Sequence, residues 1–387
     1  MTMLPETPDR RCLFHIPLPI DPRGTVGSQV RPLGMLSGFE EIGYEVETIW
    51  GQAADRRGAI EAVKRNIEAG VRYDFLYSES STMPTLLTES NHLPTQPFLD
   101  YGLFRLCKRA GIPVGLFYRD VHWRFEQYRQ RVNWYKRMLT IPLYHLDLWA
   151  YRQWVDVLFL VHMKMLKYVR LWPHRKPVYE LLPGGKIVEL DPVLSRGRLR
   201  LFYVGGVVPP LYDISNLLEG VHQAAQGGLN VQLTICCPAD QWQTRPRRYD
   251  SWTGDWLTVV HVFGESLQSL YQEHHVAMVY LVPSPYFDFA MPVKVMEATA
   301  LGRPLIAVEP TAVADYVRRE GCGWTVSSDP QALADLLRDL QGGPAQIEEK
   351  TRIIERVRHE HTWAKRAEEA ANTLIAVGEA NGHRYQD

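Results

Sequence analysis

AMPVKVMEATALGRPLIAVE, residues 290–309, holds a helix, a stop signal and a strand in immediate succession. Pro292 suits the first turn of a helix, where a missing N–H costs nothing. Gly302 is placed as the C′ residue, Pro304 blocks continuation, and the apolar run Leu305-Ile306-Ala307-Val308 reads as a buried strand. Lys294 is out of character. It occupies the first turn, where the helix dipole disfavours a cation by a few tenths of a kcal/mol. Glu297 follows three residues later on the same face.

Working outward, this unit is one of a series. In the second half the apolar runs predict strands over 199–204, 231–236, 257–262, 277–281, 305–308 and 324–326. A polar helix is expected over 344–357 and a last helix over 363–377, with Gly378 as its C′ residue. In the first half, strands are expected over 12–16, 44–49, 73–77, 114–118 and 155–161, with helices ending near 42 and spanning 101–110. Pro183-Gly184-Gly185 and the residues after it are rich in turn formers and read as a hinge. Repeated β-α units on both sides imply two parallel, doubly wound sheets. The fold class is therefore α/β, with two Rossmann-like domains facing across a cleft. The expected boundaries are 1–186 and 187–362, with 363–387 returning to the first domain. Ligands bind at the carboxyl ends of such strands.

The 387 residues suffice for two cores. A formal net charge of −1 gives no global basic field for nucleic acid. The five cysteines are scattered without C-x-x-C spacing and read as reduced thiols of a cytosolic protein. The N-terminus lacks the apolar run of a signal peptide, and the run 157–161 is too short to cross a bilayer.

In this order and spacing, the motifs resemble the GT-B glycosyltransferases, specifically the family-4-like group 1 enzymes that use nucleotide sugars. GTVGSQVRPLGMLSGFEEIGYEV is similar to their first loop and helix. VDVLFLVHMKMLKYV with LLPGGKI is similar to the last N-domain strand and linker, and LFYVGGVVPPLYDISNLLEGV to the opening of the C-domain. AMPVKVMEATALGRPLIAV is similar to the donor-site helix and next strand, and EGCGWTV to the turn that follows. The sequence departs from the family pattern in three places. Gly206 and Leu211 stand where a basic pair is common, Phe289 stands where many retaining members carry Glu, and the linker reads Pro-Gly-Gly instead of Pro-Asn-Gly.

The resemblance implies sugar transfer from a nucleoside diphosphate sugar of UDP or GDP type to a glycan or a polyprenyl- or other lipid-linked acceptor, as in polysaccharide biosynthesis. The protein would be cytoplasmic, peripheral on the inner face of the membrane. A catalytically silent GT-B subunit that binds glycan or supports a partner, and a nucleotide-sugar epimerase or hydrolase, are the alternatives. On the donor side, a helix N-terminus suits a phosphate. Lys294, next to Val293, adds a full charge there, unless it serves only as surface cover or as the partner of Glu297. The resemblance gives Glu297 the ribose diol. Gly205 and Gly206 admit the diphosphate or simply turn the chain. Glu265 serves the nucleobase or the first turn of a helix.

On the acceptor side, Asp120 follows a buried strand in FYRDVHW. It is the candidate general base, with pairing to Arg119 or loop support as the other reading. His122 is a second candidate. Glu79, His15, Gly27 and Tyr212 are acceptor-binding or cleft-wall candidates. No Asp-x-Asp motif and no His/Cys/Asp cluster occurs, so neither metal nor cofactor is expected.

Between Arg119 and Arg137 lie six basic residues, opposed only by Asp120 and Glu126, with Trp123, Phe125, Tyr128, Trp134 and Tyr135 interleaved. Such a stretch suits an anionic lipid surface. It equally suits a helical hairpin packed on the first domain.

Overall fold

A computed structural model describes residues 10–21, 27–189 and 197–382, without the side chains of Ser28 and Glu265. Residues 22–26 of the expected glycine loop, 190–196 of the hinge and 383–387 of the last expected segment lie outside the described residues. The chain divides into two compact units, Met1–Leu182 with Trp363–Asp387, and Pro183–Thr362.

The first unit runs β1 (Arg11–His15), α1 (Gly27–Glu41), β2 (Glu45–Ile49), α2 (Ala53–Glu68), β3 (Phe75–Glu79), α3 (Leu99–Arg109), β4 (Val114–Phe117), α4 (Glu126–Arg131), α5 (Trp134–Trp154), β5 (Val157–Leu160) and β6 (Val178–Glu180). The six strands are parallel in the order β2-β1-β3-β4-β5-β6. β3, β4 and β5 are buried along their whole length, as strands covered on both faces must be. Two elements were not expected. The edge strand β6 spans three residues and none of them is fully buried. α2 buries only Ala53, Arg56 and Val63, so its apolar stripe is thin.

The second unit runs β7 (Leu199–Val204), α6 (Ser215–Gln226), β8 (Val231–Cys236), α7 (Ala239–Gln243), β9 (Leu257–Val260), α8 (Glu265–Glu273), β10 (Val276–Val279), α9 (Val293–Ala300), β11 (Leu305–Val308), α10 (Ala312–Glu320), β12 (Gly323–Val326), α11 (Pro330–Gly342) and α12 (Pro344–Val357). Its parallel order, β12-β11-β10-β7-β8-β9, is that of a dinucleotide-binding sheet, with the switch between β7 and β10. Leu201, Leu217, Leu233 and Ile306 are among its core residues.

The division falls after Leu182, whereas the sequence pointed to residue 186. The reason is Gly185. Its N–H donates to the His361 carbonyl at 2.8 Å, and a Cβ there would lie 2.4 Å from the Met296 carbonyl oxygen. The glycine is what lets this segment lie directly on α9.

The last helix, α13 (Trp363–Ala380), belongs to the first unit and packs on α1. A Cβ on Gly34 would fall 2.3 Å from the Trp363 ring, so α1 and α13 approach through glycine. Gly378 is not the C′ residue. It is buried inside the helix, against Pro113, and this contact carries the helix past the expected stop.

Candidate functional site

In the second unit the switch point gathers the loops after β7 and β10. The chain leaving β10 reaches α9, with Pro292 at the N-cap, one position earlier than expected. Val295, Met296, Ala298, Thr299 and Ala300 are buried. Val293, Lys294 and Glu297 form the half-buried remainder. This division explains the residue types: one face holds the sheet, and the other offers a cation and a carboxylate at the positive end of the helix. Lys294 Nζ and Glu297 Oε2 stand 3.0 Å apart. Gly302 adopts φ +69°, the left-handed C′ conformation its position requires.

Gly205 and Gly206 follow β7. The space a Cβ would take at Gly206 is filled by the Tyr212 ring, 2.5 Å away, and its carbonyl accepts the Tyr203 hydroxyl at 2.6 Å. The chain's own tyrosine thus accounts for this glycine. Tyr212 is spent in covering it and packs towards Phe287. Next to it, Asp213 accepts the Ser215 N–H at 2.9 Å and pairs with Arg248 at 2.6 Å. Burial pushes its carboxyl up, but these contacts outweigh burial and hold it below the usual range. Glu265 opens α8; its side chain lies outside the described residues. Phe289 is a buried aromatic against Tyr286, so no carboxylate stands at that position.

In the first unit, Asp120 lies just beyond β4 and is 17% exposed. Its Oδ1 accepts the His122 N–H at 2.9 Å, closing a tight turn, and its Oδ2 stands 3.6 Å from His122 Nδ1. Arg119, the alternative partner of Asp120, is held by the neighbouring strand. Arg119 Nη2 donates to Glu79 Oε2 at 2.6 Å, and Arg119 N–H donates to Ser80 Oγ at 3.0 Å.

Glu79 is a correction. It is wholly buried, 3.4 Å from Arg31 Nε on its other side and hydrogen-bonded by the Tyr77 hydroxyl at 3.1 Å. Two arginines occupy it, one of them from the loop that carries Asp120. Arg31, stacked over Phe117 at 3.4 Å, was not foreseen. A cation in the middle of α1 reads as a surface residue, and nothing local signals its distant partner.

His15 is a second correction. It sits at the switch between β1 and β3, but it is buried. Its Nδ1 faces Ser78 Oγ at 2.8 Å and its Nε2 faces Asp100 Oδ1 at 3.0 Å, while Arg56 clasps Asp100 at 2.8 and 3.0 Å. An ionised Asp100 only accepts, so Nε2 carries the proton. Burial lowers the His15 pKa despite Asp100. The Ser-His-Asp order suggests a nucleophile, but all three side chains are buried. The group is a structural clamp between β1, β3 and α3. Gly27 opens α1.

All five cysteines are buried and free. Burial pushes the thiols of Cys107, Cys237 and Cys322 up to about 12. Among the described residues, no group of three or more His, Cys, Asp or Glu side chains is disposed to hold a metal.

Residues 198–342 match the family model described as glycosyl transferases group 1. No curated protein matches the chain. Several solved structures share its fold. Anabaena HepE in complex with UDP is 11% identical, with 95% of this chain and 100% of that chain covered, at TM-score 0.62. Sucrose-phosphate synthase from Thermosynechococcus elongatus is 15% identical over 97% and 98% of the two chains, at TM-score 0.56. WaaG, a glycosyltransferase involved in lipopolysaccharide biosynthesis, is 13% identical over 94% and 99%, at TM-score 0.57.

Proposed function

We propose that this chain, which has the GT-B fold and whose residues 198–342 match the group 1 glycosyl transferase model, is a glycosyltransferase that moves a sugar from a nucleoside diphosphate sugar of UDP or GDP type to a glycan or lipid-linked acceptor without a metal. The observation that carries the reading is the half-buried face of α9. The helix N-terminus and Lys294 meet the diphosphate, and Glu297 accepts hydrogen bonds from the ribose diol. As the donor bond breaks, charge grows on the leaving diphosphate, and fixed positive groups stabilise that state preferentially. Asp120 takes the proton from the acceptor hydroxyl. The UDP bound by HepE, a protein of the same fold, supports a nucleotide donor.

The acceptor side belongs at an anionic membrane surface. The aromatic–basic stretch divides in the structure. Trp123, Phe125 and Tyr128 are buried. Tyr135, Leu139, Pro142, Leu146 and Trp149 recur along the exposed side of α5, joined by Trp134 and Met138, which are 66% and 69% exposed. Spacings of three and four residues put them on one face. Lys136 is exposed beside them, with Arg129 and Arg131 on α4. Apolar residues with a basic rim describe a helix that lies in a lipid interface. Among the described residues, no helix is long and apolar enough to cross a membrane.

A silent subunit is the second reading, favoured by the buried Phe289 and the sequestered Glu79. Nucleotide release from UDP- and GDP-sugars by the purified chain separates the two. Turnover that survives EDTA and disappears in Asp120→Asn supports transfer. Tight nucleotide binding with no turnover across varied acceptors supports the silent subunit.

A further inference from the structure

Several buried or half-buried arginines in this chain meet carboxylates: Arg31 and Arg119 meet Glu79, Arg56 meets Asp100, and Arg358 meets Glu189 and Glu355. Arg124 is different. Its half-buried guanidinium lies over the Trp123 ring at 4.4 Å. His145 meets the same ring edge-on at 5.1 Å. Among the described residues, neither has an ion-pair partner.

Phe125 packs against Tyr168 at 4.9 Å, which brings the turn after β4 against the segment after β5. That segment carries Arg170, which likewise has no ion-pair partner among the described residues. It opens on a cavity of about 520 Å³ whose lining includes Lys167, Arg170, His174 and Lys176 but no Asp or Glu. The crowding of like charge is felt within the group. Burial lowers the pKa of Arg124 and Arg170 lowers it further; burial also lowers that of His145, and Arg124 adds to it. A half-buried guanidinium without a counter-charge, as at Arg124, is costly. An anion with several acceptor oxygens relieves that cost, and a guanidinium fork fits a phosphate in particular.

We propose that Arg124, Arg170 and His145 form a subsite for a phosphate group on the acceptor. Arg124 shares the loop leaving β4 with Asp120, so the subsite lies on the acceptor side of the chain. Assigning the phosphate to the acceptor rests on the transferase reading; the anion site itself does not.

The test is calorimetric titration of the full chain, first saturated with UDP to fill the donor site, with inorganic pyrophosphate. The expected result is binding that weakens about tenfold or more in the Arg124→Gln, Arg170→Gln double variant, with UDP affinity unchanged. Arg170→Gln alone changes an exposed residue and guards against misfolding; it should weaken pyrophosphate by a smaller factor. Equal pyrophosphate affinity in all three proteins, or no binding by the wild type, overturns the proposal. If UDP does not bind, the donor reading fails, and the same titration without UDP still reads the subsite. Vesicles of phosphatidic acid in phosphatidylcholine distinguish the sources. Displacement of pyrophosphate assigns the phosphate to a lipid, and retention assigns it to a soluble acceptor.

Discussion

Lys294 Nζ lies 3.0 Å from Glu297 Oε2, so the two charges on the accessible face of α9 neutralise each other before any ligand arrives. An intrahelical pair of this kind is worth roughly 0.2–0.5 kcal/mol, while a charge-assisted contact to a phosphate is worth about 1.5–3 kcal/mol. Under the proposed function a diphosphate would win Lys294 and release Glu297 to the ribose. The pair does not by itself explain why a lysine stands at the unfavourable end of the dipole. Exchange with the proposed diphosphate would.

Glu79 should matter for stability as much as for activity. It is buried between Arg31 and Arg119, and its removal leaves two guanidinium groups without their carboxylate. Glu79→Ala is expected to cost about 3–5 kcal/mol in urea unfolding and to loosen the loop that carries Asp120. A loss below about 1 kcal/mol would mean that water screens the triad.

Asp147 predicts a pH dependence. It is buried in α5, where Oδ2 accepts the Thr85 N–H at 2.9 Å and Oδ1 takes the Tyr101 hydroxyl. Burial pushes its carboxyl from 3.8 up to about 7, against those hydrogen bonds. The folded state therefore holds a proton that the unfolded state has released. That contribution is fully present below 3.8 and is lost as pH rises through about 7. Between about pH 5 and pH 8 the wild type should lose stability relative to Asp147→Asn. Urea midpoints at the two pH values check this, and a constant difference contradicts it.

Membrane docking through α5 should respond to both parts of its surface. Met138→Glu with Leu139→Glu removes apolar burial. Lys136→Glu removes attraction worth roughly 1 kcal/mol near a charged surface. Both variants should sediment less with vesicles containing anionic lipid, and added salt should weaken the wild type. Sedimentation equal to the wild type, or indifferent to lipid charge, points to a soluble acceptor.

Much of the fold was legible because its strands are short apolar runs closed by Gly and Pro. The expected spans 199–204, 231–236 and 305–308 coincide with β7, β8 and β11. α9 was legible for the same reason, since Pro292, Gly302 and Pro304 act locally. What escaped the sequence depends on distance. Glu79 and His15 end buried strands and read as site residues, but Arg31, Arg119, Arg56 and Asp100 claim them from remote elements. Gly206 reads either as room for a ligand or as a turn, and only the structure shows the Tyr212 ring against it. The aromatic stretch after β4 is one composition and two environments, and only packing divides Tyr128 from Trp134.

The most direct test of the donor site is calorimetric titration of wild type and Lys294→Ala with UDP, with GDP and with the matching nucleosides. Lys294→Ala should lose about 1.5–3 kcal/mol of affinity for the diphosphate while nucleoside binding stays the same. Equal losses for the nucleotide and its nucleoside would put Lys294 away from the phosphates and contradict the account.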